Sequence, residues 1–263
     1  MLRFSLTGAS TKHTVNESLI AKVTDYVKDY MSHYDPSHDF SHIRRVVHLA
    51  SHIQASMPHT SRDVVVLSAL LHDVGDEKYL KPGEDASRLA HDVLISMGAP
   101  AGLANEVQAI CLGVSYSSEV KDPARVVELI KKHPELAAVQ DADRLDAIGA
   151  VGIERAFTFG GAKNRSLEQT MAHFEEKLVR LEGTMKTDVG RRLAKERTDR
   201  LRLMQEWWAA ETDGVGDVQD ITSLSLPVNG RQATSQDAVE FGSVSSHSAS
   251  SGPLLYTAAQ GNA

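Results

Sequence analysis

Two histidines and several aspartates are the residues of this 263-residue chain whose types and spacing could support chemistry. His42 lies in HDFSHIRRV, His72-Asp73 in LLHDVGDEKY, and Asp143 in QDADRLDA. Imidazole nitrogens and carboxylate oxygens form a mixed donor set that suits manganese first, then iron, cobalt, zinc or nickel, and magnesium less well. Such cations lower the pKa of bound water and supply hydroxide near neutral pH. The residues therefore predict a site for one divalent cation with hydrolytic chemistry.

The sequence context of His72-Asp73 distinguishes it from a second His-Asp pair, His91-Asp92. The apolar run VVVLSALL leads into His72-Asp73, and ionisable groups at the end of a buried helix are costly unless they pair or bind metal. Asp143 also lies in an apolar helical frame. His91-Asp92 lies in an ordinary amphipathic helix, and we interpret it as solvent-facing.

Apolar residues at helical intervals surround these motifs, and no segment alternates as a strand does. Capping and stop signals occur at Thr14-Glu17, Gly98, Asp122-Pro123 and Ser166-Gln169. We predict helices over about residues 14–35, 40–57, 62–71, 85–97, 100–112, 122–132 and 189–210, one or two within 136–157, and one beginning at Ser166. The predicted fold class is all-α, a single helical bundle.

Composition divides the chain into three parts. Residues 1–13 are predicted to be a flexible N-terminus, residues 14–213 the hydrolase domain, and residues 214–263 a disordered tail. The tail is rich in Ser and Gly, as in GSVSSHSASSGP, and buries too little apolar surface to offset its ordering entropy.

Charge and hydropathy exclude several classes of partner. The net charge of −7 gives no basic footprint for duplex nucleic acid, and no run of eighteen apolar residues is present for a membrane span. A single cysteine, Cys111, allows no intramolecular disulfide and no thiolate metal cluster. The N-terminus lacks a signal-peptide core, so we predict a cytoplasmic protein, with nuclear or organellar locations left open.

The three motifs together resemble the signature of the HD-domain metal-dependent phosphohydrolase superfamily. That signature combines a histidine, a His-Asp doublet and a later aspartate, here H-x₂₉-HD and A-D-R-L, and the resemblance covers about residues 16–210. It implies that the metal ligands are His42, His72, Asp73 and Asp143. The longer strings, including QDADRLDAIGAVGIERAFTFGG, look like the small single-domain branch associated with nucleotide pyrophosphohydrolase activity.

The resemblance also implies roles for neighbouring acids. In related hydrolases an acid three residues past the HD aspartate, sometimes with a second acid beside it, handles the attacking water, and these positions are Asp76 and Glu77. The alternative is a solvated acidic turn after Gly75. The A-D-R-L alignment favours Asp143 as the ligand and leaves Asp141 beside the ligands or facing substrate, although one sequence leaves open which carboxylate meets the metal.

Three cations are candidates to clamp a phosphate: Lys78, Arg45 and Arg144. Each has the alternative of being a surface or salt-bridging residue. The expected partner is a small phosphorylated substrate, most favourably a nucleotide, and a homodimer is among the states that the sequence allows.

The expected reaction is hydrolysis of a phosphate ester or anhydride, above all of a nucleoside or deoxynucleoside triphosphate to monophosphate and pyrophosphate. Within enzymes, the alternatives are a monophosphatase, a cyclic-nucleotide phosphodiesterase or an alarmone hydrolase. A catalytically silent metal- or nucleotide-binding module that acts through its tail is the alternative from another class.

Overall fold

The computed structural model describes residues 17–76 and 80–213, and every regular element in these ranges is helical. Eleven α-helices lie in the described ranges: α1 (Glu17–Tyr30), α2 (Phe40–Gln54), α3 (Arg62–Leu71), α4 (Leu89–Ser96), α5 (Ala101–Val114), α6 (Tyr116–Lys121), α7 (Pro123–Lys132), α8 (Glu135–Asp146), α9 (Gly149–Ala162), α10 (Leu167–His173) and α11 (Asp188–Thr212). A 3₁₀ segment, Met31–His33, follows α1, while a π-helical segment, Phe174–Leu178, and a 3₁₀ segment, Val179–Thr184, follow α10. The predicted all-α class is confirmed.

Helix α3 lies at the centre of the bundle. It packs against α1, α2, α5 and α8, and all its residues from Val64 to Leu71 are buried. Helix α2 in turn packs along α8, and α8 packs against α5, α9 and α11. This arrangement brings the start of α2, the end of α3 and the C-terminal half of α8 into one neighbourhood, although the sequence separates them widely.

Short-range signals in the sequence predicted several helix ends correctly. Asp122 caps α7 by accepting a hydrogen bond from the backbone N of Arg125, and Pro123 is the first helical residue. Ser166 and Gln169 form the predicted capping box of α10. Gly98 has φ +87° after α4, the left-handed conformation in which glycine commonly ends a helix.

Several helical elements differ from the prediction. Helix α4 begins at Leu89 rather than near Asp85, because the Asp85 carboxylate accepts from the backbone N of Ser87 and forms a local turn instead. Helix α2 ends at Gln54, before the predicted residue 57. Helix α6 was missed because it buries none of its residues, so it carries no apolar stripe.

Some predictions concern residues outside the described ranges. The flexible N-terminus, Thr14 of the first capping signal, and the disordered tail at 214–263 all lie there. Across residues 17–76 and 80–213, no helix combines the length and the apolar character that a membrane span requires.

Candidate metal centre

The His72-Asp73 doublet follows directly on the buried helix α3. Gly75 has φ +87°, a conformation that glycine adopts at little cost, and it turns the chain away from the axis of α3. The doublet therefore lies at the end of a helix whose position is fixed by packing against α1, α2, α5 and α8.

His42 reaches the same place from the first turn of α2. Asp39 caps this helix, accepting from the backbone N of Ser41 at 2.9 Å and of His42 at 3.3 Å. The cap fixes the start of α2, and its packing against α8 buries His42 to 1% exposure.

Four predicted ligands converge in what we call the His-Asp cluster: His42, His72, Asp73 and Asp143. The Nε2 atom of His42 lies 3.3 Å from Nε2 of His72, 3.3 Å from Oδ2 of Asp73 and 3.6 Å from Oδ1 of Asp143. The Nε2 atom of His72 lies 3.4 Å from Oδ1 of Asp73 and 3.7 Å from Oδ1 of Asp143. The Asp143 side chain is 30% exposed, so the cluster is open to solvent on that side.

The partners of the two Nδ1 atoms determine where the imidazole protons lie. Nδ1 of His72 is 2.9 Å from the carbonyl oxygen of Ala69, which can only accept, and Nδ1 of His42 is 2.7 Å from Oδ2 of Asp146. In the neutral rings both Nε2 atoms therefore carry lone pairs. Two facing lone pairs beside two carboxylates repel one another unless a proton or cation lies between them, so the donor set fits a divalent cation.

Charges within the cluster shift the pKa values of its members. Burial alone would lower the pKa of His72, but the carboxylates of Asp73 and Asp143 raise it to about 9. Burial would raise the pKa of Asp73, yet His72 and His42 hold it well below its usual range. The pKa of Asp143 is also lowered, chiefly by His72 acting against burial. The cluster thus keeps two ionised carboxylates in a largely enclosed place and attracts positive charge to it.

A second set of residues lies behind His42, and it joins the predicted Arg45 to Asp146 and Arg155, which the sequence did not identify as site residues. The Asp146 side chain, 2% exposed, accepts from Nδ1 of His42, from Nε of Arg45 at 2.7 Å and from Nη2 of Arg45 at 3.0 Å. Arg155 of α9 donates to the same carboxylate at 3.0 Å and to the carbonyl oxygen of Ser37 at 2.7 Å. Burial opposes ionisation of Asp146, but His42 and Arg45 hold its pKa below the usual range. Asp146 is therefore ionised, and its carboxylate orients the imidazole ring of His42 by accepting from Nδ1.

The structure does not bring Asp141 or Arg144 to the His-Asp cluster. Asp141 is fully buried and accepts from the backbone N of Lys186 and of Thr187, both at 2.8 Å, and from Thr187 Oγ1 at 2.7 Å. Arg144 is 1% exposed, pairs with Glu119 and donates to a backbone carbonyl. Because both side chains are enclosed and engaged with protein groups, we do not retain substrate contact for either residue. Asp141 instead ties the start of α11 to α8.

Asp141→Ala is expected to lower the free energy of unfolding by about 2–4 kcal/mol, because two buried backbone N–H groups lose their acceptor. Metal content per folded molecule should not change. Urea denaturation and elemental analysis test this, with Asp199→Ala, at an exposed aspartate of α11, as the matched control. Loss of metal with unchanged stability would instead make Asp141 a ligand.

The remaining predicted residues follow the doublet or lie behind it. The backbone N of Asp76 donates to the carbonyl oxygen of Asp73 at 3.2 Å, and the Asp76 side chain is half-buried. Burial raises the pKa of Tyr34, and the charges of Tyr30, Asp73 and Asp76 raise it further. Glu77 and Lys78 lie outside the described residues. Arg45 directs Nε and Nη2 of its guanidinium to Asp146, so a phosphate contact at the His-Asp cluster is not retained for it.

Comparison with known proteins agrees with this site. A family model, the HD domain, matches residues 39–148, a range that contains the whole His-Asp cluster. Uncharacterized protein YpgQ of Bacillus subtilis (strain 168) is 36% identical over 187 residues, which is 67% of this chain and 85% of that protein. The chain belongs to the HD-domain phosphohydrolase superfamily.

Solved structures show the same likeness. A crystal structure of Bacillus subtilis YpgQ in complex with ADP aligns with a TM-score of 0.61 at 31% identity, covering 76% of this chain and 97% of that one. An HD-superfamily hydrolase from Bacillus thuringiensis aligns with a TM-score of 0.58 at 28% identity, covering 75% and 98%. The resemblance predicted from the motifs is confirmed, and a hydrolase is supported.

Proposed function

We propose that this protein is a metal-dependent phosphohydrolase that cleaves a nucleoside or deoxynucleoside triphosphate to monophosphate and pyrophosphate. The observation that carries the proposal is the convergence of two imidazole Nε2 atoms and two carboxylates, with the Nε2 atoms 3.3 Å from each other and 3.3–3.7 Å from the carboxylate oxygens. Without metal, a proton on His72, whose pKa is raised to about 9, offsets the repulsion between these groups. A divalent cation bound to the same atoms would take the place of that proton, and the hydrogen bonds at both Nδ1 atoms favour it by fixing both rings.

His42, His72, Asp73 and Asp143 would hold the cation. When bound, the cation supplies a Lewis acid for a phosphoryl oxygen and lowers the pKa of a water. Manganese is the proposed metal, because the mixed nitrogen and oxygen donors suit it, with iron, cobalt, zinc, nickel or magnesium as alternatives.

The chain's own residues have separate tasks in this proposal. Asp146 and the Ala69 carbonyl keep the Nε2 lone pairs directed into the cluster. Asp76 follows the doublet by three residues and is proposed, with Glu77, to orient the attacking water or take its proton. Lys78 is proposed to neutralise phosphate charge that develops during the reaction.

A nucleotide is the proposed substrate class because a related protein, YpgQ, was crystallised in complex with ADP. Adenine nucleotides share the phosphate chain on which the proposed chemistry acts. A homodimer and a cytoplasmic location remain proposals from the sequence.

A screen of nucleotides against metals tests the reaction. Purified full-length protein with Mn²⁺ is expected to convert a triphosphate to monophosphate and pyrophosphate, identified by chromatography and ³¹P NMR. Chelation by EDTA should abolish turnover, and re-addition of metal should restore it. Release of orthophosphate from monophosphates alone would make the protein a monophosphatase, and metal binding without turnover of any phosphate ester or anhydride would favour the silent module.

A further inference from the structure

A cavity of about 430 Å³ opens beside the His-Asp cluster, on the opposite side of Asp146. Its lining includes the cations Arg44, Arg45 and Arg197 together with His48 and Asp146, and no member of the His-Asp cluster lines it. His42 and Asp146 thus separate two spaces, one facing the cluster and one facing these cations.

The cations that line the cavity are only partly used by the protein. Arg45 donates through Nε and Nη2 to Asp146, whereas its Nη1 has no partner among the described residues. Arg44 and His48, both exposed on α2, have no hydrogen bond or ion pair within residues 17–76 and 80–213. Arg197 donates through Nη1 to the carbonyl oxygen of Leu145. Donors therefore remain on both helices, α2 and α11, that supply these residues.

The carboxylate in the lining does not balance this positive charge. Asp146 already accepts from His42, Arg45 and Arg155, so its negative charge is shared among three donors. Burial has the largest effect on the pKa of Arg197 and lowers it, although the nearby carboxylates of Asp146 and Glu196 act to raise it. That direction means that the guanidinium lacks full compensation for its lost hydration.

The position of Arg197 depends on a specific backbone feature. Gly149 begins α9 with φ +76°, and a Cβ there would lie 3.0 Å from Cγ of Arg197. The stem of Arg197 therefore packs directly on the glycine, which holds α11 close to the junction of α8 and α9. The cavity is formed by α2, α11 and this junction rather than by loose surface side chains.

We propose that this cavity binds a phosphate-bearing anion, either free pyrophosphate or the phosphate chain of a nucleotide. Guanidinium groups match phosphate oxygens with paired, charge-assisted hydrogen bonds. A cleft whose three guanidinium groups outnumber its single carboxylate also focuses the field on an incoming anion. The volume lies within the range of small-ligand sites, about 300–1,000 Å³, so it accommodates more than a single phosphate.

Calorimetric titration of full-length protein with pyrophosphate in EDTA tests the proposal. Without metal, the two carboxylates of the His-Asp cluster repel an anion, so binding there does not interfere. Wild type should bind, and the double variant Arg44→Gln, His48→Gln should raise the Kd by about tenfold or more, because charge-assisted bonds to phosphate are lost. The matched control is His52→Gln, Arg62→Gln, which removes one exposed histidine and one exposed arginine away from the cavity.

The control should change the Kd by no more than about twofold, as expected for screened surface charges. Adenosine, which lacks phosphate, should not bind.

Titration with ADP in EDTA distinguishes the two possible ligands. Equal affinity for ADP and pyrophosphate assigns the site to phosphate groups alone, and tighter ADP binding assigns it to a nucleotide. The proposal would be overturned by any of three results. Wild type does not bind pyrophosphate, both double variants lose the same affinity for pyrophosphate, or adenosine binds as tightly as ADP. Hydrolysis with Mn²⁺ is measured separately, so either idea can fail alone.

Discussion

His72→Ala is expected to remove the bound metal and to lower kcat/KM by about 10³-fold or more, because a Lewis acid contributes several kcal/mol and each 1.4 kcal/mol is a factor of ten. The physical reason is the geometry of the cluster. Nε2 of His72 lies 3.3 Å from Nε2 of His42 and 3.4 Å from Oδ1 of Asp73, so its removal leaves three of the four proposed metal donors, one imidazole and two carboxylates. The remaining three groups then favour a hydrated cation, which exchanges readily.

The second His-Asp doublet of the same chain provides the control. His91 lies on α4, and among residues 17–76 and 80–213 its ring forms a hydrogen bond only with its neighbour Asp92, at 2.7 Å. His91→Ala should therefore retain both metal and activity. Elemental analysis of purified protein and steady-state kinetics are measured on both variants. Equal metal content in wild type and His72→Ala would remove the cluster from consideration as the metal site.

Asp76→Asn is expected to lower kcat by about 10²-fold or more while the metal content and folded state stay unchanged, the scale of a lost general base. The KM should change little, because a contact to the attacking water matters mainly in the transition state. The asparagine keeps the size of the side chain and the backbone hydrogen bond to Asp73, so only the negative charge is removed.

Asp92→Asn is the matched control for this change, since it neutralises an exposed aspartate of α4 away from the cluster. Its kcat should equal that of wild type. Circular dichroism and metal analysis accompany the kinetics, so that a misfolded or metal-free protein is recognised. An Asp76→Asn enzyme as active as wild type would transfer the proposed water-handling role to Glu77.

Helix α8 shows how much of the site the sequence could reveal. Residues two apart on a helix point about 200° apart, so Asp141 and Asp143 had to face different neighbours. Residues three apart share a face, and that spacing could have identified Asp146 beside Asp143. Arg155 carried no such signal, because its contact with Asp146 depends on how α9 turns back after Gly149.

In the fold as well, features set by neighbouring residues could be predicted, and features set by residues distant in sequence could not. Helix α7 could be predicted from Asp122 and Pro123 because a cap and a first-turn proline act within one turn. The partner of Arg144 could not, because Glu119 lies on α6, a helix without an apolar stripe. Local signals set helix ends, whereas the pairing of buried charges depends on packing that no short window contains.

The His-Asp cluster draws its members from α2, from the end of α3 and from α8, segments that are far apart along the chain. A cation held by all of them acts as a removable crosslink that exists only in the folded state. By mass action, a metal at a hundred times its Kd would add about 2.7 kcal/mol to the free energy of unfolding. Metal supply would then determine not only whether the protein turns over substrate but also how long each molecule survives proteolysis, because the apo chain opens more often.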